Sequence, residues 1–277
     1  MNITIYSDKE SLTSTQFLEE GLRQIFGANA VIRESNRFEL SSRLSPATDL
    51  FIVPGIIGET CLYYDHLSGD NARHIQNYVA GGGVYLGICA GAYQVMTDIR
   101  FTDPDGSVRT RQSPYGFIDG HAQGPINGTS LYHTNGAING HTAVRPMELS
   151  AHFAQFNFTG RAIYSSGPAF SPATTTGVGL ARYQDHPEKP IGLISSYYGD
   201  GLVIGSGTAP YYSADSYPDI NPKGLSTETY ETAKNLRDTL KDHEQNRFNY
   251  WNLILQTAQW HRQNLAQKPA RVLANSA

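Results

Sequence analysis

The stretch that most constrains the fold is an apolar run that leads straight into a cysteine flanked by glycines. Residues 84–88 read Val-Tyr-Leu-Gly-Ile, and Cys89-Ala-Gly follows at once. A second run, at residues 49–53, reads Asp-Leu-Phe-Ile-Val and ends at Pro54-Gly55. Short runs of this kind are typical of parallel strands that are covered on both faces. The chain is therefore expected to contain a parallel sheet with helices on both sides.

Helical patterns alternate with these strands. After a β-rich run at residues 3–6, apolar residues recur at helical spacing between 17 and 26, and Gly27 is suited to end that helix. A second helix is indicated between 67 and 79, before Gly81-Gly-Gly. The alternation predicts an α/β protein, a three-layer α/β/α sandwich with a mostly parallel, flavodoxin-like sheet.

Shorter strands and two further helices are expected in the second half of the chain. Between about 100 and 210, short apolar runs are separated by Gly, Pro, Asn and Thr, which predicts partly antiparallel strands added to the same sheet. Amphipathic stripes at 230–240 and 248–258 predict two C-terminal helices. Since no linker interrupts the pattern, we expect a single domain over residues 1–265 and a flexible tail at 266–277.

The composition excludes several classes of function. The net charge is −4 and the pI is near 6.1, so neither a nucleic acid nor a membrane surface is an expected partner. No apolar run approaches the roughly 18 residues of a membrane span. Two cysteines, Cys61 and Cys89, make no disulfide framework and suit the cytoplasm. A small molecule is the expected partner, and the sequence identifies no protein partner.

Cys89 is the candidate catalytic residue. A nucleophile on a sharp turn between a strand and a helix adopts a strained backbone that exposes its side chain, an arrangement called a nucleophile elbow. Gly87 and Gly91 suit such a turn because the strand and helix backbones come close together there. The N-terminus of the following helix is expected to lower the Cys89 pKa. The alternative is a small buried cysteine that only fills a helix–sheet contact.

The loop Val53-Pro-Gly55-Ile56 is expected beside Cys89, at the carboxyl edge of the sheet, where α/β proteins bind ligands. The backbone N–H groups of Ile56 and Ala90 would there form an oxyanion hole over an intermediate on Cys89. The alternative is a simple turn that ends a strand. Tyrosines near the expected pocket are Tyr93, Tyr197, Tyr198, Tyr211 and Tyr212.

Six tracts of the chain carry a family resemblance. They are Ile52-Val-Pro-Gly55, the tract Tyr-Val-Ala-Gly-Gly-Gly-Val-Tyr-Leu-Gly-Ile-Cys-Ala-Gly-Ala-Tyr at 78–93, Gly120-His-Ala-Gln-Gly-Pro125, Tyr164-Ser-Ser-Gly-Pro-Ala-Phe170, Leu180-Ala-Arg-Tyr183 and Tyr198-Gly-Asp-Gly-Leu-Val-Ile204. Together they resemble the domain at the N-terminus of some biotin–protein ligases, a branch of the class I glutamine amidotransferase-like superfamily. The resemblance runs from about residue 1 to 260, and the tract at 78–93 is its most specific part.

The resemblance implies a nucleophile at Cys89 and oxyanion positions at Gly55, Ile56 and Ala90. It also reveals two departures, the first being Ile56, where the family usually has a second glycine. The strand at 201–205 should lead into a His-Pro-Glu-like segment that supplies a base and its orienting acid, yet Ser206-Gly-Thr208-Ala-Pro-Tyr follows. Because general-base help is typically worth ~10²–10⁴ in rate, hydrolysis of the amidotransferase type is not expected.

No other residue clearly replaces the base. His121, in a glycine-rich stretch, is the first candidate, ahead of His133, His141 and His152, and each is more often a surface residue than a base. Cys61 is expected to be a bystander. No spacing of His, Cys or acidic residues indicates a metal site, and no cofactor is expected. The Gly-Arg-rich adenylate loop and catalytic lysine segment of a biotinylating domain are not found in these residues.

Three functions remain open at this point. The first is a cysteine-dependent hydrolase or amidotransferase with a non-standard base, which the turn at Cys89 favours. The second is a degenerate or unconventional member that binds or acts on a small molecule, which Thr208 and Ile56 favour. The third is redox sensing through Cys89. The second hypothesis is preferred, because the expected base and acid are both missing from the segment that should carry them.

Overall fold

The computed structural model describes residues 1–9, 11–56, 63–103, 105–126, 143–153, 155–216 and 227–267. Its helices are α1 (Leu12–Phe26), α2 (Leu40–Arg43), α3 (Tyr63–His66), α4 (Gly69–Ala80), α5 (Ala90–Tyr93), α6 (Thr227–Asp242) and α7 (Glu244–Gln267). Its strands are β1 (Asn2–Tyr6), β2 (Val31–Ser35), β3 (Leu50–Val53), β4 (Val84–Ile88), β5 (Met96–Thr102), β6 (Val108–Gln112), β7 (Ile118–Gly124), β8 (Ala143–Leu149), β9 (Gly160–Tyr164), β10 (Ala169–Pro172), β11 (Val178–Tyr183), β12 (Ile191–Tyr198) and β13 (Gly201–Ser206).

All of these strands belong to one mixed sheet. Its main path has the order β2-β1-β3-β4-β13-β12-β10-β7-β5-β6, and β11, β8 and β9 branch from β12 in that order. Strands β2, β1, β3, β4 and β13 are parallel, as are β5 and β7. The predicted α/β fold class is confirmed: the central strands are parallel, and the shorter, partly antiparallel strands of the second half join the same sheet.

Helices cover both faces of the parallel strands. Leu50 and Ile52 of β3 lie in one apolar core with Leu22 of α1 and Trp251 of α7. Phe51 of β3 points to the opposite face, because successive side chains of a strand alternate, and it lies in a second core with residues of α4. The two cores on either side of the sheet are those of the predicted three-layer sandwich.

Three strand ends meet at one edge of the sheet. Val53 of β3 is in register with Gly87 of β4, and Ser206 of β13 is in register with Ile88. Since parallel strands end on the same side, the segments that follow β3, β4 and β13 are neighbours. Cys89, the first residue after β4, therefore lies between the segments that begin at Pro54 and Gly207.

Two features in the middle of the chain differ from the sequence-based expectation. The helix that follows Cys89 is a single turn, and the chain is already in strand β5 at Met96. The hairpin of β5 and β6 is not indicated by the sequence, because every residue of β6 is exposed and lacks apolar alternation. Backbone pairing with β5 keeps that strand extended.

The predicted boundary between the domain and its tail, at residues 265 and 266, falls within α7. That helix runs to Gln267, so the predicted tail lies, from residue 268 onward, outside the described residues. Among the described helices, none is long and apolar enough to cross a membrane.

Candidate functional site

Cys89 lies on a tight turn between β4 and α5. Its backbone has φ 52° and ψ −107°, a conformation that residues with a side chain rarely adopt. A Cβ on Gly87 would overlap the carbonyl oxygen of Gly91, and a Cβ on Gly91 would overlap the carbonyl oxygen of Val53. The two glycines are therefore required by the close approach of the strand and turn backbones.

The short helix α5 bears on the predicted lowering of the Cys89 pKa by a helix N-terminus. A helix dipole is the sum of aligned peptide units, and its influence comes from a regular helix of several turns. The four residues of α5 supply only one turn. Activation of Cys89 by a helix N-terminus therefore stays a prediction.

The loop after β3 lies against Cys89, as the sequence predicts. A Cβ on Gly55 would lie 3.3 Å from the Cys89 Cβ, 3.7 Å from its Sγ and 3.7 Å from the hydroxyl oxygen of Tyr211. Gly55 is buried, whereas Ile56, Cys89 and Ala90 are all partly exposed. The site therefore has a solvent-facing rim formed by these three residues. The oxyanion role of Ile56 and Ala90 stays a prediction.

A loop at residues 165–168 covers the thiol from the other side. Its four consecutive carbonyl oxygens each accept a hydrogen bond from a side chain: Cys89 Sγ to Ser165 at 3.4 Å, Tyr93 Oη to Ser166 at 2.7 Å, Tyr164 Oη to Gly167 at 3.1 Å and Tyr183 Oη to Pro168 at 2.9 Å. Ser166 has φ 63°, in the left-handed region. The predicted pocket residue Tyr93 thus holds the loop against Cys89, and the tract at 164–170 forms part of the site.

Two further tyrosines approach from the segment after β13. Tyr212 shares a hydrogen bond with Ser14 of α1, with 3.2 Å between the two oxygens. Tyr211 is 1% exposed, and its hydroxyl makes no hydrogen bond of normal geometry among the described residues. The two rings are 4.6 Å apart. The hydroxyl of Tyr211 therefore lies beside Gly55, where the hydroxyls of Ser14 and Tyr212 are close enough to act on its pKa.

Burial keeps these tyrosines protonated. It raises the pKa of Tyr164, Tyr183, Tyr211 and Tyr212 above the ordinary value, and the nearby charge of an ionised Cys89 raises each pKa further. A phenol with a raised pKa donates hydrogen bonds at neutral pH and does not accept a proton as a base. The side chains around Cys89 are thus hydrogen-bond donors.

Thr208 stands in the segment where the resemblance implies a catalytic base. It is fully buried. Its hydroxyl lies 3.3 Å from that of Ser206, and both hydroxyls act on the pKa of Tyr250, which burial raises. It is Tyr211, three residues further on, whose hydroxyl reaches the position beside Gly55. In this segment, Tyr211 is thus the residue whose side chain comes nearest to Gly55. The sequence names it only as one of five tyrosines near the expected pocket.

Tyr197 and Tyr198 do not join the site, which corrects the expectation from sequence. Strands β12 and β13 are antiparallel, and Tyr198 pairs with Gly201 at the start of β13. The start of β13 lies at the amino edge of the parallel strands, whereas Cys89 lies at the carboxyl edge. Tyr197 is 64% exposed. Of the expected tyrosines, Tyr93, Tyr211 and Tyr212 are the ones that the structure brings near Cys89.

The candidate bases are scattered. His121 lies in β7, where burial lowers its pKa, Arg100 lowers it further and Asp98 raises it. His152 is exposed, and His133, His141 and Cys61 lie outside the described residues. Within the described ranges, no three His, Cys, Asp or Glu side chains are arranged to hold a metal ion.

One histidine–carboxylate pair, not indicated by the sequence, lies at the same edge of the sheet. His66 Nδ1 is 3.1 Å from Asp8 Oδ2, and the two side chains are 13% and 10% exposed. Asp8 follows β1, which is next to β3, so the pair lies two strands from β4, roughly 10 Å at normal strand spacing. Its helix, α3, is tied to the loop after β3 by a 3.1 Å hydrogen bond from Tyr63 to the Pro54 carbonyl.

Comparison with known proteins gives a family match over nearly all of the chain. The family described as "Biotin-protein ligase, N terminal" matches residues 1–275. An uncharacterised protein of Chlamydia muridarum is 32% identical over 212 residues, which cover 74% of this chain and 78% of that protein. A biotin–protein ligase of Schizosaccharomyces pombe is 28% identical over 185 residues, which cover 65% of this chain but only 28% of the ligase.

A solved structure of similar fold is the crystal structure of a glutamine amidotransferase. It superposes with a TM-score of 0.50 over 76% of this chain and 90% of that one, at 16% sequence identity. At this identity the likeness establishes the fold alone. The predicted glutamine amidotransferase-like architecture is thereby confirmed.

Proposed function

The chain belongs to the biotin–protein ligase N-terminal family, and on that premise we propose that it binds a small molecule at Cys89 and does not hydrolyse glutamine. The chain matches only 28% of the yeast ligase, whose name describes the activity of that whole protein. The net charge of −4 favours a small molecule over a nucleic acid or an anionic membrane surface. The cytoplasm is the compartment we propose.

The partly exposed Cys89 supports a binding site. Cys89 is partly exposed, on a strained turn at the carboxyl edge of a parallel sheet, which is where α/β folds bind ligands. Gly87, Gly91 and Gly55 bring three backbone segments together around it. These features support the nucleophile elbow that the sequence predicts, and we assign the turn to ligand contact.

One observation supports the proposal that the chain does not hydrolyse glutamine. The segment after β13 provides Ser206-Gly-Thr-Ala-Pro-Tyr211, with neither an imidazole nor a carboxylate, and Tyr211 is the side chain that reaches the Gly55 loop. A protonated phenol cannot take the thiol proton. The thiol of Cys89 instead donates a hydrogen bond to the Ser165 carbonyl. Both features favour binding over hydrolysis.

A second candidate function, a cysteine hydrolase with a non-standard base, is favoured by the His66–Asp8 pair. A histidine oriented by a carboxylate is the usual partner of a catalytic cysteine. The pair is at the correct edge of the sheet, but two strands from the thiol. His66 would therefore have to act through an intervening water or substrate.

Ammonia release from glutamine separates the two functions. We expect the wild-type chain to release no more ammonia than Cys89→Ala, with a working glutamine amidotransferase as the positive control for the assay. Thr208→His should restore no activity, because a triad acts as a unit and the orienting acid is also missing. Turnover that depends on Cys89 would contradict the proposal. Its loss in His66→Gln, but not in His121→Gln, would then identify the base.

A further inference from the structure

We propose that Arg111 binds a carboxylate group of the molecule held at Cys89. This inference rests on the proposed binding function and names the charged group by which the site recognises its ligand. The observations that support it concern strand β6, whose two arginines lie over aromatic rings at the border of the site. The sequence alone indicates no role for this strand.

Strand β5, the partner of β6, ends beside the loop at residues 165–168 that covers the thiol. The Tyr93 hydroxyl, which donates to the Ser166 carbonyl of this loop, lies directly against Gly124, because a Cβ on that glycine would overlap it. Gly124 is in register with Phe101 of β5, and the rings of Tyr93 and Phe101 are 5.9 Å apart. Phe101 therefore borders the side of the site that this loop forms.

A second set of contacts reaches β6 from the loop after β3, which packs against the thiol. Tyr63 of α3 donates a 3.1 Å hydrogen bond to the Pro54 carbonyl of that loop. The next residue, Tyr64, is partly exposed, and the Arg111 guanidinium lies over its ring, 4.8 Å from the ring centroid. Strand β6 is thus connected, through separate contacts, to both of the loops that flank Cys89.

The rim of the site continues onto these aromatic rings. Ile56 and Ala90 of the solvent-facing rim, together with Tyr64 and Phe101, are partly exposed residues that pack on one apolar core. The core on the other face of the sheet is separate, so these four residues lie on the same face. A ligand that contacts Cys89 and extends over this face would approach the guanidinium above the Tyr64 ring.

The two arginines of β6 differ in their partners. Arg109 lies over the Phe101 ring, and its guanidinium forms a 2.6 Å ion pair with Asp103. Arg111 is exposed and forms no ion pair with a carboxylate among the residues that the structure describes. A guanidinium that stacks on a ring keeps its N–H groups directed outward for an acceptor. Arg111 therefore offers a positive charge that no described carboxylate offsets.

A single guanidinium is best matched by a carboxylate. The planar fork of its N–H groups donates two parallel hydrogen bonds to the two carboxylate oxygens. A phosphate monoester carries about −1.5 to −2 charges at neutral pH, and the second cation of the strand, Arg109, is already paired with Asp103. Because Arg111 is exposed, a carboxylate that it binds stays in contact with water and avoids the cost of burying a charge.

Two disulfide reagents that differ in charge test the inference in a Cys61→Ser background, where Cys89 is the remaining cysteine. Dithiobis(nitrobenzoate) carries a carboxylate on each ring, whereas dithiodipyridine is uncharged at neutral pH. With either reagent, Cys89 loses its proton and forms an S–S bond to one half of the reagent, and the other half leaves as its thiolate. Absorbance follows both reactions, and the ratio of the nitrobenzoate rate to the dithiodipyridine rate reports recognition of the carboxylate.

We expect Arg111→Gln to lower this rate ratio by about three- to fivefold at ~0.1 M salt, which is the size of an exposed ion pair. Arg33→Gln is the matched control, because it removes the same charge from an exposed residue of β2, at the opposite end of the sheet. Strand β2 lies three strands from β4, roughly 14 Å at normal strand spacing. Since charges further apart than about 10 Å are largely screened at this salt concentration, the control should leave the ratio unchanged.

The results separate this inference from the proposed function. If dithiodipyridine does not modify Cys89 in the folded chain, no ligand reaches the thiol and the proposed function fails. If it does, and Arg111→Gln leaves the ratio unchanged or slows both reagents equally, the site stands and the role of Arg111 is refuted. A ratio that falls as much in Arg33→Gln would show that the net charge of the chain sets it, which would likewise refute a specific contact with Arg111.

Discussion

Strands β4 and β13 lie side by side and end in the same register, but the segments that follow them are built on different principles. After β4, backbone contacts set the turn: Gly91 packs on the Val53 carbonyl, and Gly87 packs on Gly91. After β13, buried side chains set the path, through Tyr211 and the hydrogen bond from Arg247. The first segment is held by backbone packing and the second by buried side chains.

The difference shows that two neighbouring strand ends can be followed by segments that are held in different ways. Backbone packing between two strands and a turn is needed for the sheet itself, so it persists whatever the chemistry of the site. The side chains after β13 are buried in the core, where residues of different type are tolerated if the core stays filled. Cys89 therefore stands on a turn that backbone packing fixes, and Tyr211 stands on a segment that buried side chains fix.

The largest expected effect concerns the backbone contact after β4. Gly91→Ala should destabilise the chain by about 3 kcal/mol or more, because the new methyl group meets a backbone oxygen that cannot move aside. Gly55→Ala, whose methyl would meet the Cys89 Cβ at 3.3 Å, should cost about 1 kcal/mol or less. Urea denaturation measures both. Equal losses would show that backbone packing does not distinguish the two positions.

A smaller effect is expected on the side of β13. Arg247→Leu removes a fully buried guanidinium and leaves the Pro210 carbonyl without its donor, so we expect a loss of roughly 2–3 kcal/mol. Arg23→Leu, at a side chain that is 53% exposed in an ion pair with Glu19, should change stability by less than about 0.5 kcal/mol. A loss in Arg247→Leu as small as in the control would mean that this side chain does not hold the segment.

The smallest effect is a pH dependence. Burial raises the pKa of Tyr211 in the folded chain, whereas an unfolded tyrosine ionises near about pH 10. The unfolded state therefore loses protons first as the pH rises, so the stability is fully present below that pH and declines above it. Tyr211→Phe removes this contribution and should lose roughly 1.4 kcal/mol less than wild type for each pH unit above about 10. Urea curves near pH 9 and pH 11 compare the two chains, and parallel declines would contradict burial of this hydroxyl.

Much of the fold and part of the site follow from local sequence patterns. The apolar runs predict β3 and β4, Gly27 and Gly81 end the helices before the next strands, and the glycines around Cys89 predict the tight turn. These features depend on residues close together in the chain, so periodicity and glycine placement reveal them. The exposed strand β6 and the single-turn α5 are exceptions, because pairing with neighbouring segments decides them.

What surrounds the thiol was decided by the tertiary structure. Ser165, Tyr164 and Tyr211 come from segments that are 75 to 122 residues away from Cys89 in the chain, and no local pattern shows that they meet. Beyond the end of a strand, side-chain direction is set by packing against other elements and no longer by alternation. For this reason the sequence determines that Cys89 stands on a tight turn beside Gly55, and only the packed fold determines that Tyr211, and not Thr208, faces it.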